Sequence, residues 1–312
     1  MTYFIDQLGR VDSAENVFLR KELEAVREKA FDYEFPELSG RRLLPIDHSV
    51  GNGAATVSFA TYESAGRARV GSDYTTEAPR VDLKISEQSQ RVVGILDSYG
   101  YSIQDIRTAL EAGRPLSALK ARVAKEVIET ELNKLMLLGS TAEGLAGLLN
   151  LSGGLTYSVP NGVGGVSTWF DGAGKTPAEI YKDMTAMIKT VTQFSNKVER
   201  PDTLLLPDSC FDHVSETNMG TGSDLTILEY FRRNMKNVDV ESVTEAETAG
   251  AASVRRMMSY SKKNTKLQGI IPQEFETFKP QEIGLQTVVN CHARWGGIEN
   301  YRPKAVCYGD DI

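Results

Sequence analysis

The chain has 312 residues, of which 41% are hydrophobic, so it is long enough to bury one large core or two smaller ones. Its 42 acidic and 35 basic residues give a net charge of −7, which argues against a protein whose main task is to grip nucleic acid through its phosphates. No run approaches the ~18 apolar residues of a membrane span, and the first residues lack the pattern of a secretory signal, so we expect no association with a membrane.

The N-terminal segment is predicted to be an arm that contains one amphipathic helix. Asp12 and Glu15 have the spacing of a capping box. Apolar residues then follow at helical intervals, namely Leu19, Leu23, Val26 and Ala30. One apolar stripe on a terminal helix must be buried against something else.

From about His48 to Gln90 the pattern changes to that of β-structure. Ala55–Tyr62 is rich in strand formers, and Val81–Ser86 alternates apolar and polar residues. These runs predict a long two-stranded excursion, which is marginally stable alone and is therefore expected to lie on another surface. The basic residues of this region are predicted to pair with acidic residues of a neighbouring subunit: Arg67, Arg69 and Arg80.

Two helices are predicted next. Ser102 and Asp105 form a capping box for a helix that Gly113 ends. A longer helix is predicted from Pro115 to Leu138, about 36 Å in length, with Gly139 as its C-cap. Its apolar face is predicted to comprise Leu116, Leu119, Val123, Val127, Leu132, Leu135 and Met136. We expect this helix to be the structural spine.

The rest of the chain reads as an α/β unit followed by returning strands. Residues 139–175 are rich in loop formers, and Thr176 with Glu179 then predicts a capped helix. A buried strand is predicted at Thr203–Pro207, with a short helix after it and another helix after Ser223 and Asp224. Further strands are predicted at 238–243, 254–260, 283–293 and 304–308.

Gly174-Lys175-Thr176 matches the end of a nucleotide-binding P-loop. However, Trp169 stands where the first glycine of that motif is required. The preferred interpretation is a flexible loop leading into a capped helix, and a nucleotide-binding enzyme is kept as a remote alternative.

The other candidate chemistry is weaker. Cys210 with His213, and Cys291 with His292, lack the clustered spacing of zinc ligands, so Cys210, Cys291 and Cys307 are predicted to be reduced, buried thiols. Glu245 and Glu247 are predicted to lie in a solvated loop rather than to act as a catalytic pair. We predict no catalytic residue, no cofactor and no metal site.

Three sequence strings, with the order of the parts, carry a resemblance. They are Val127–Leu135 followed by Gly139, His292–Ile298, and Arg302–Ala305. The chain resembles the major capsid protein of tailed bacteriophages, an α+β protein with the Hong Kong 97-type fold, which encapsulin nanocompartments also use. The resemblance covers essentially the full chain.

The resemblance implies an arrangement of parts. Residues 1–47 would be the N-terminal arm, and residues 48–91 the extended β loop. Residues 92–154 and 276–312 would form a peripheral domain with the spine helix 115–138, and residues 155–275 an axial domain around the fivefold and sixfold axes. Leu19, Leu23 and Val26 of the arm and Lys84 of the extended loop would contact neighbouring subunits.

The resemblance also implies a structural protein of the virion, not an enzyme. Many copies would assemble in the host cytoplasm, as pentamers and hexamers, into an icosahedral shell that encloses double-stranded DNA without sequence-specific binding. Portal and scaffolding proteins are expected partners, and a decoration protein is a further one. Some relatives crosslink a Lys to an Asn, but no motif here identifies that Asn, so the chemistry is not carried over to Lys84. The alternative is an encapsulin-type shell around a cargo enzyme.

Overall fold

The computed structural model describes residues 38–66, 80–105, 107, 116–172, 174–220, 222 and 224–312. The predicted arm helix with Leu19, Leu23 and Val26 lies outside the described residues, as do Arg67 and Arg69. Leu38–Ile312 forms one compact unit. The division of this unit into a peripheral and an axial domain stays a prediction.

The α-helices whose bounds lie within the described residues are α1 (Gly40–Leu43), α2 (Leu116–Leu137), α3 (Pro177–Phe194), α4 (Asp208–Glu216) and α5 (Ile227–Asn234). The shorter strands, of two to four residues, are β1 (Ile46–Asp47), β5 (Gly139–Ser140), β6 (Leu145–Ala146), β7 (Leu155–Ser158), β11 (Leu267–Ile270), β13 (Gln281–Ile283), β15 (Ile298–Asn300) and β16 (Cys307–Asp310). The longer strands are β2 (Thr56–Ala65), β3 (Asp82–Arg91), β4 (Val93–Ser102), β8 (Thr203–Pro207), β9 (Asp239–Val243), β10 (Arg256–Tyr260), β12 (Gln273–Thr277) and β14 (Gln286–Trp295).

The spine helix α2 confirms the predicted C-terminal end to within one residue, whereas the predicted start at Pro115 lies outside the described residues. Gly139 follows the helix at φ +75°, a conformation that a side chain disfavours, and a Cβ there would lie 2.4 Å from the carbonyl oxygen of Leu145. The predicted apolar face is wrong at Val123 and Val127, which are 49% and 45% exposed. The buried face instead comprises Ala124, Ile128, Leu132, Leu135 and Met136.

The spine helix packs on a four-stranded sheet, in which β4 and β14 pair antiparallel along ten residues each. Strand β4 was not predicted from the sequence. On the other side of β14, β13 and β12 pair with its two halves, and Gly284 makes the turn between β13 and β14 at φ +63°. The predicted strand at 283–293 is therefore two strands.

A second sheet has five strands in the order β7-β16-β10-β8-β9. Thr203–Pro207 forms β8 as predicted, with every residue buried. Helices α3, α4 and α5 contribute apolar side chains to one hydrophobic cluster, including Ile180, Met184, Met187, Val214 and Phe231. The predicted final strand at 304–308 begins later, because Pro303–Ala305 forms a 3₁₀ turn before β16.

Among the residues that the structure describes, strands β2 and β3 pair only with each other, in a ladder of ten residue pairs from Thr56–Arg91 to Ala65–Asp82. The prediction of a two-stranded excursion is confirmed over these residues. We call this element the ribbon. Ser102 and Asp105 also make both hydrogen bonds of the predicted capping box, at 3.0 and 3.2 Å.

Candidate inter-subunit surface

The base of the ribbon is attached to the body by a few side chains. The ring of Phe59, which is 8% exposed, meets that of Tyr301 edge to face, with 5.5 Å between ring centres. The amide Nε2 of Gln90 donates to the carbonyl oxygen of Ile298 at 2.7 Å. Arg91 pairs with Glu143 at 3.4 Å. These contacts fix the direction in which the ribbon leaves the body.

The two faces of the ribbon differ in character. Side chains alternate between the faces of a strand, and Val81, Leu83 and Ile85 share one of them at 77%, 53% and 60% exposure. The opposite face carries Lys84 and Ser86. It lines a cleft of about 490 Å³ against the body, with Phe194 and Tyr301 among the body residues. The apolar side of the ribbon therefore faces away from its own subunit.

The predicted basic contacts occupy different positions. Arg80 is exposed and lies two residues before the first residue of β3. Lys84 lines the cleft together with Arg302 and Lys304. The structure does not bring Arg80 and Lys84 to one contact within the chain, and their role between subunits stays a prediction.

A second exposed apolar group lies at one end of the four-stranded sheet and was not singled out from the sequence. Ile283 and Leu285, on either side of Gly284, are 54% and 78% exposed. The backbone N–H of Ile103, itself 39% exposed, donates to the carbonyl oxygen of Leu285 at 3.2 Å. Two branched apolar residues around a glycine turn are a signal that sequence reasoning could have used.

The P-loop-like residues serve the fold. Lys175 is buried, and its Nζ donates to Oδ2 of Asp183 at 2.6 Å. The hydroxyl of Tyr157 donates to the other carboxylate oxygen of Asp183 at 3.2 Å, and burial raises the pKa of Tyr157 to about 12. Thr176 caps helix α3, and its backbone N–H bonds to the carboxylate of Glu179. The lysine that a P-loop would present to phosphate is thus already paired inside the protein.

The cysteines are buried and free, as predicted. Burial raises the pKa of Cys210 and of Cys307 to about 12, which makes thiolate chemistry unfavourable. Among the described residues there is no group of three or more His, Cys, Asp or Glu side chains that could hold a metal ion. In the same part of the chain, no helix is both long enough and apolar enough to cross a membrane.

The prediction of a solvated loop at Glu245 and Glu247 is wrong. Glu245 accepts a hydrogen bond from Nδ2 of Asn133 on the spine helix at 2.8 Å. Glu247 accepts from the backbone N–H of Ser209 at 2.8 Å and pairs with Arg255 at 3.2 Å. Both carboxylates therefore connect neighbouring elements of the fold. Donor groups of the protein bond to them, whereas the sequence pattern predicts that water does so.

Comparison with known proteins gives a family and a fold. Residues 66–312 match the model of a family described as major capsid protein. No curated protein sequence matches the chain.

Among solved structures, the capsid of Myoviridae phage XM1 is 18% identical with a TM-score of 0.79, covering 94% of this chain and 98% of that one. A chain of Mycobacterium phage Ogopogo is 10% identical with a TM-score of 0.60, covering 91% and 95%. A virus-like particle from Pyrococcus furiosus is 13% identical with a TM-score of 0.52, covering 86% and 90%. These likenesses show the Hong Kong 97-type fold, as the resemblance predicted, and they do not favour the nanocompartment alternative over the phage capsid.

Proposed function

This chain belongs to the major capsid protein family and is a structural subunit of a phage shell, and we propose that it works by burying its ribbon and its N-terminal arm on neighbouring copies of itself. A capsid shell is made of many copies of its major protein. The chain therefore acts through assembly in the virion rather than through turnover, and we propose that it has no enzymatic activity.

The observation that carries this proposal is the exposed apolar face of the ribbon. Leu83 and Ile85 are more than half exposed on a two-stranded element that has no third strand among the described residues. Full burial of such a side chain contributes about 1.5–3 kcal/mol, before the cost of ordering is subtracted. Each contact is modest, and a closed shell repeats it in every copy.

We further propose that the two hydrophobic clusters correspond to a peripheral and an axial domain. The first cluster contains the buried faces of the spine helix and of the four-stranded sheet, within residues 92–154 and 276–312. Buried residues outside these ranges also join it, namely Leu43, Leu44, Leu205, Val243, Ala246, Ala249, Met258, Tyr260, Leu267 and Ile271. The second contains apolar side chains of helices α3 to α5, within residues 155–275, together with Cys307 and Ile312. In this proposal the axial domain surrounds the fivefold and sixfold axes, where head-to-tail contacts close into pentamers and hexamers.

The net charge of −7 supports a shell that encloses double-stranded DNA without gripping it. A densely basic lining would bind phosphates by releasing counterions and would oppose the movement of DNA during packaging and ejection. We propose portal and scaffolding proteins as partners, with a decoration protein as a further one, and assembly in the host cytoplasm.

Nuclease protection tests what the shell encloses. Purified virions are treated with nuclease, and the protected contents are then extracted and sequenced. The proposal predicts protected double-stranded DNA without a preferred binding sequence along it. Shells that contain a single enzyme and no protected DNA would instead support a nanocompartment.

A further inference from the structure

Strand β4 is an edge of the four-stranded sheet, and one half of that edge is open. The N–H of Ile103 bonds to the carbonyl oxygen of Leu285, one step beyond the pair Ser102–Gln286. Because bonded and non-bonded pairs alternate in an antiparallel ladder, the odd-numbered residues of β4 bond to β14 and the even-numbered residues point away from it. Gly94 and Leu96 therefore direct their backbone groups outward.

The other half of the edge is closed by side chains. Nζ of Lys120 donates to the carbonyl oxygen of Gly100 at 2.7 Å. The N–H of Ser98 donates to Oδ1 of Asp97 at 2.8 Å. Within the described part of the chain, the backbone groups of Gly94 and Leu96 have no corresponding partner, and both residues are exposed. An open strand edge is a template on which another strand can pair.

A groove of about 480 Å³ runs beside this open half. It contacts every residue from Arg91 to Leu96, and since consecutive residues point to opposite faces, it must follow the edge rather than one face. Its other wall carries Glu131 and Leu135 of the spine helix, with Glu143 beyond them. Glu131 is exposed and has no ion pair with any residue that the structure describes.

We propose that this groove receives the basic tip of the ribbon from a second copy as an added strand. This inference rests on the proposed assembly function. The tip sequence Arg67-Ala68-Arg69-Val70 alternates large basic and small apolar residues with a period of two. In an extended strand, both arginines lie on one face and Ala68 and Val70 on the other. The arginines meet Glu131, and the small residues meet Leu96, which is 75% exposed. Glu143 keeps its pair with Arg91 of its own subunit.

The occupant comes from another copy because the chain's own tip is too far away. Arg91 lines the groove and also pairs with Thr56 at the base of the ribbon. The ladder from there to Ala65 spans nine steps, or about 30 Å. Arg69 is four residues beyond Ala65, and four extended residues reach back about 14 Å at most.

Charge exchange tests the pairing. We expect Glu131→Lys and Arg67→Glu/Arg69→Glu each to lower the yield of sedimenting shells about tenfold or more, and the three changes together to restore it to within about threefold. The matched control is Asp212→Lys, an exposed carboxylate of helix α4, which should leave the yield unchanged. Circular dichroism of the unassembled subunits checks that each variant folds.

A disulfide gives a second test that does not depend on charge. The native cysteines are buried, so Ala68→Cys with Leu96→Cys introduces the reactive pair. Oxidised shells should give covalent multimers larger than dimers on a non-reducing gel. Shells that form normally but yield monomers, or a tip variant that assembles like the unmodified protein, would overturn the groove proposal and leave the capsid function standing. Failure of the unmodified chain to form any shell would overturn both.

Discussion

Lys175 and Asp183 form an ion pair inside the protein, with 2.6 Å between Nζ and Oδ2 and with side chains that are 1% and 2% exposed. The pair joins the loop before helix α3 to the second turn of that helix. Removing one member of a buried pair leaves an uncompensated charge, whereas replacing both with apolar side chains can be nearly neutral. We therefore expect substitutions in this pair to change the stability of the subunit, and we expect no role for the pair in phosphate binding.

We expect Lys175→Met to lower the free energy of unfolding of the unassembled subunit by about 3–5 kcal/mol. Lys175→Met/Asp183→Leu should recover most of that loss, because no charge is left buried. Urea denaturation measures both. Lys182→Met, an exposed position of the same helix, is the matched control and should change the free energy by less than about 0.5 kcal/mol. Equal stability of Lys175→Met and Lys182→Met would contradict the role of the pair.

The two faces of the ribbon should respond differently to charge. Leu83→Asp/Ile85→Asp places two carboxylates on the exposed apolar face, so we expect the unassembled subunit to keep its stability within about 1 kcal/mol while shells fail to form. Ser86→Asp, on the opposite face of the same strand, is the control and should assemble. Analytical sedimentation separates shells from subunits. Normal assembly of Leu83→Asp/Ile85→Asp would show that this face is not buried in the shell.

The contact between Phe59 and Tyr301 should hold the base of the ribbon. Phe59→Ala removes a nearly buried ring, and we expect protease cleavage within the ribbon of the unassembled subunit to rise about tenfold or more, because local opening becomes easier. Limited proteolysis followed by mass spectrometry measures the rate and the site. Ser58→Ala, the exposed neighbour, should cleave at the unmodified rate. An equal rate for the two variants would mean that other contacts hold the base.

Asp310 and Arg256 give the subunit a dependence on pH. Burial alone would raise the pKa of Asp310, but two hydrogen bonds from Arg256, at 2.6 and 2.8 Å, outweigh it and lower the pKa below 3.8. A lowered pKa stabilises the fold above the unfolded value of about 3.9, and this stabilisation is lost as the pH falls through the folded value.

We therefore expect Asp310→Asn to cost about 2 kcal/mol at pH 7 and to reduce the loss of stability between pH 4 and pH 2. Urea midpoints measured across that range test both statements. Asp212→Asn, an exposed carboxylate, serves as the control. If the urea midpoint of Asp310→Asn depended on pH in the same way as that of the unmodified protein, the Asp310–Arg256 pair would be excluded as the source of the pH dependence.

Lys84 should not form a covalent crosslink. Mature particles boiled in detergent are expected to release monomers, and Lys84→Arg should assemble with normal yield. Gel electrophoresis decides the question. A ladder of covalent oligomers that disappears in Lys84→Arg would show that the crosslinking chemistry of some relatives operates here as well.

Local signals predicted the elements whose structure depends on nearby residues. The strand at Thr203–Pro207 and the helix that Thr176 caps were both predicted, because each combines a hydrophobic pattern with a boundary residue. Strand β4 was missed because Gly94 and Gly100 interrupt its pattern. Its partner β14 lies almost 200 residues further along the chain, and sequence periodicity carries no information about such pairing.

The errors on the spine helix and at the ion pair have a similar origin. Helical spacing allows Val123 and Val127 to form an apolar face, but the packing of the sheet selects Ala124 and Ile128 instead. Asp183 lies among the buried residues of helix α3, and an acid within an apolar stripe signals an internal partner. The sequence could have supplied this signal for Lys175, whereas the groove beside β4 could be found only from the folded structure.

Electron microscopy of the purified protein tests the central claim most directly. The protein is concentrated under a range of salt and pH conditions and examined by negative staining, with subunit size followed by light scattering. Assembly through the ribbon predicts closed shells, rings or tubes built from many copies. A stable, monodisperse monomer under every assembly condition would contradict it.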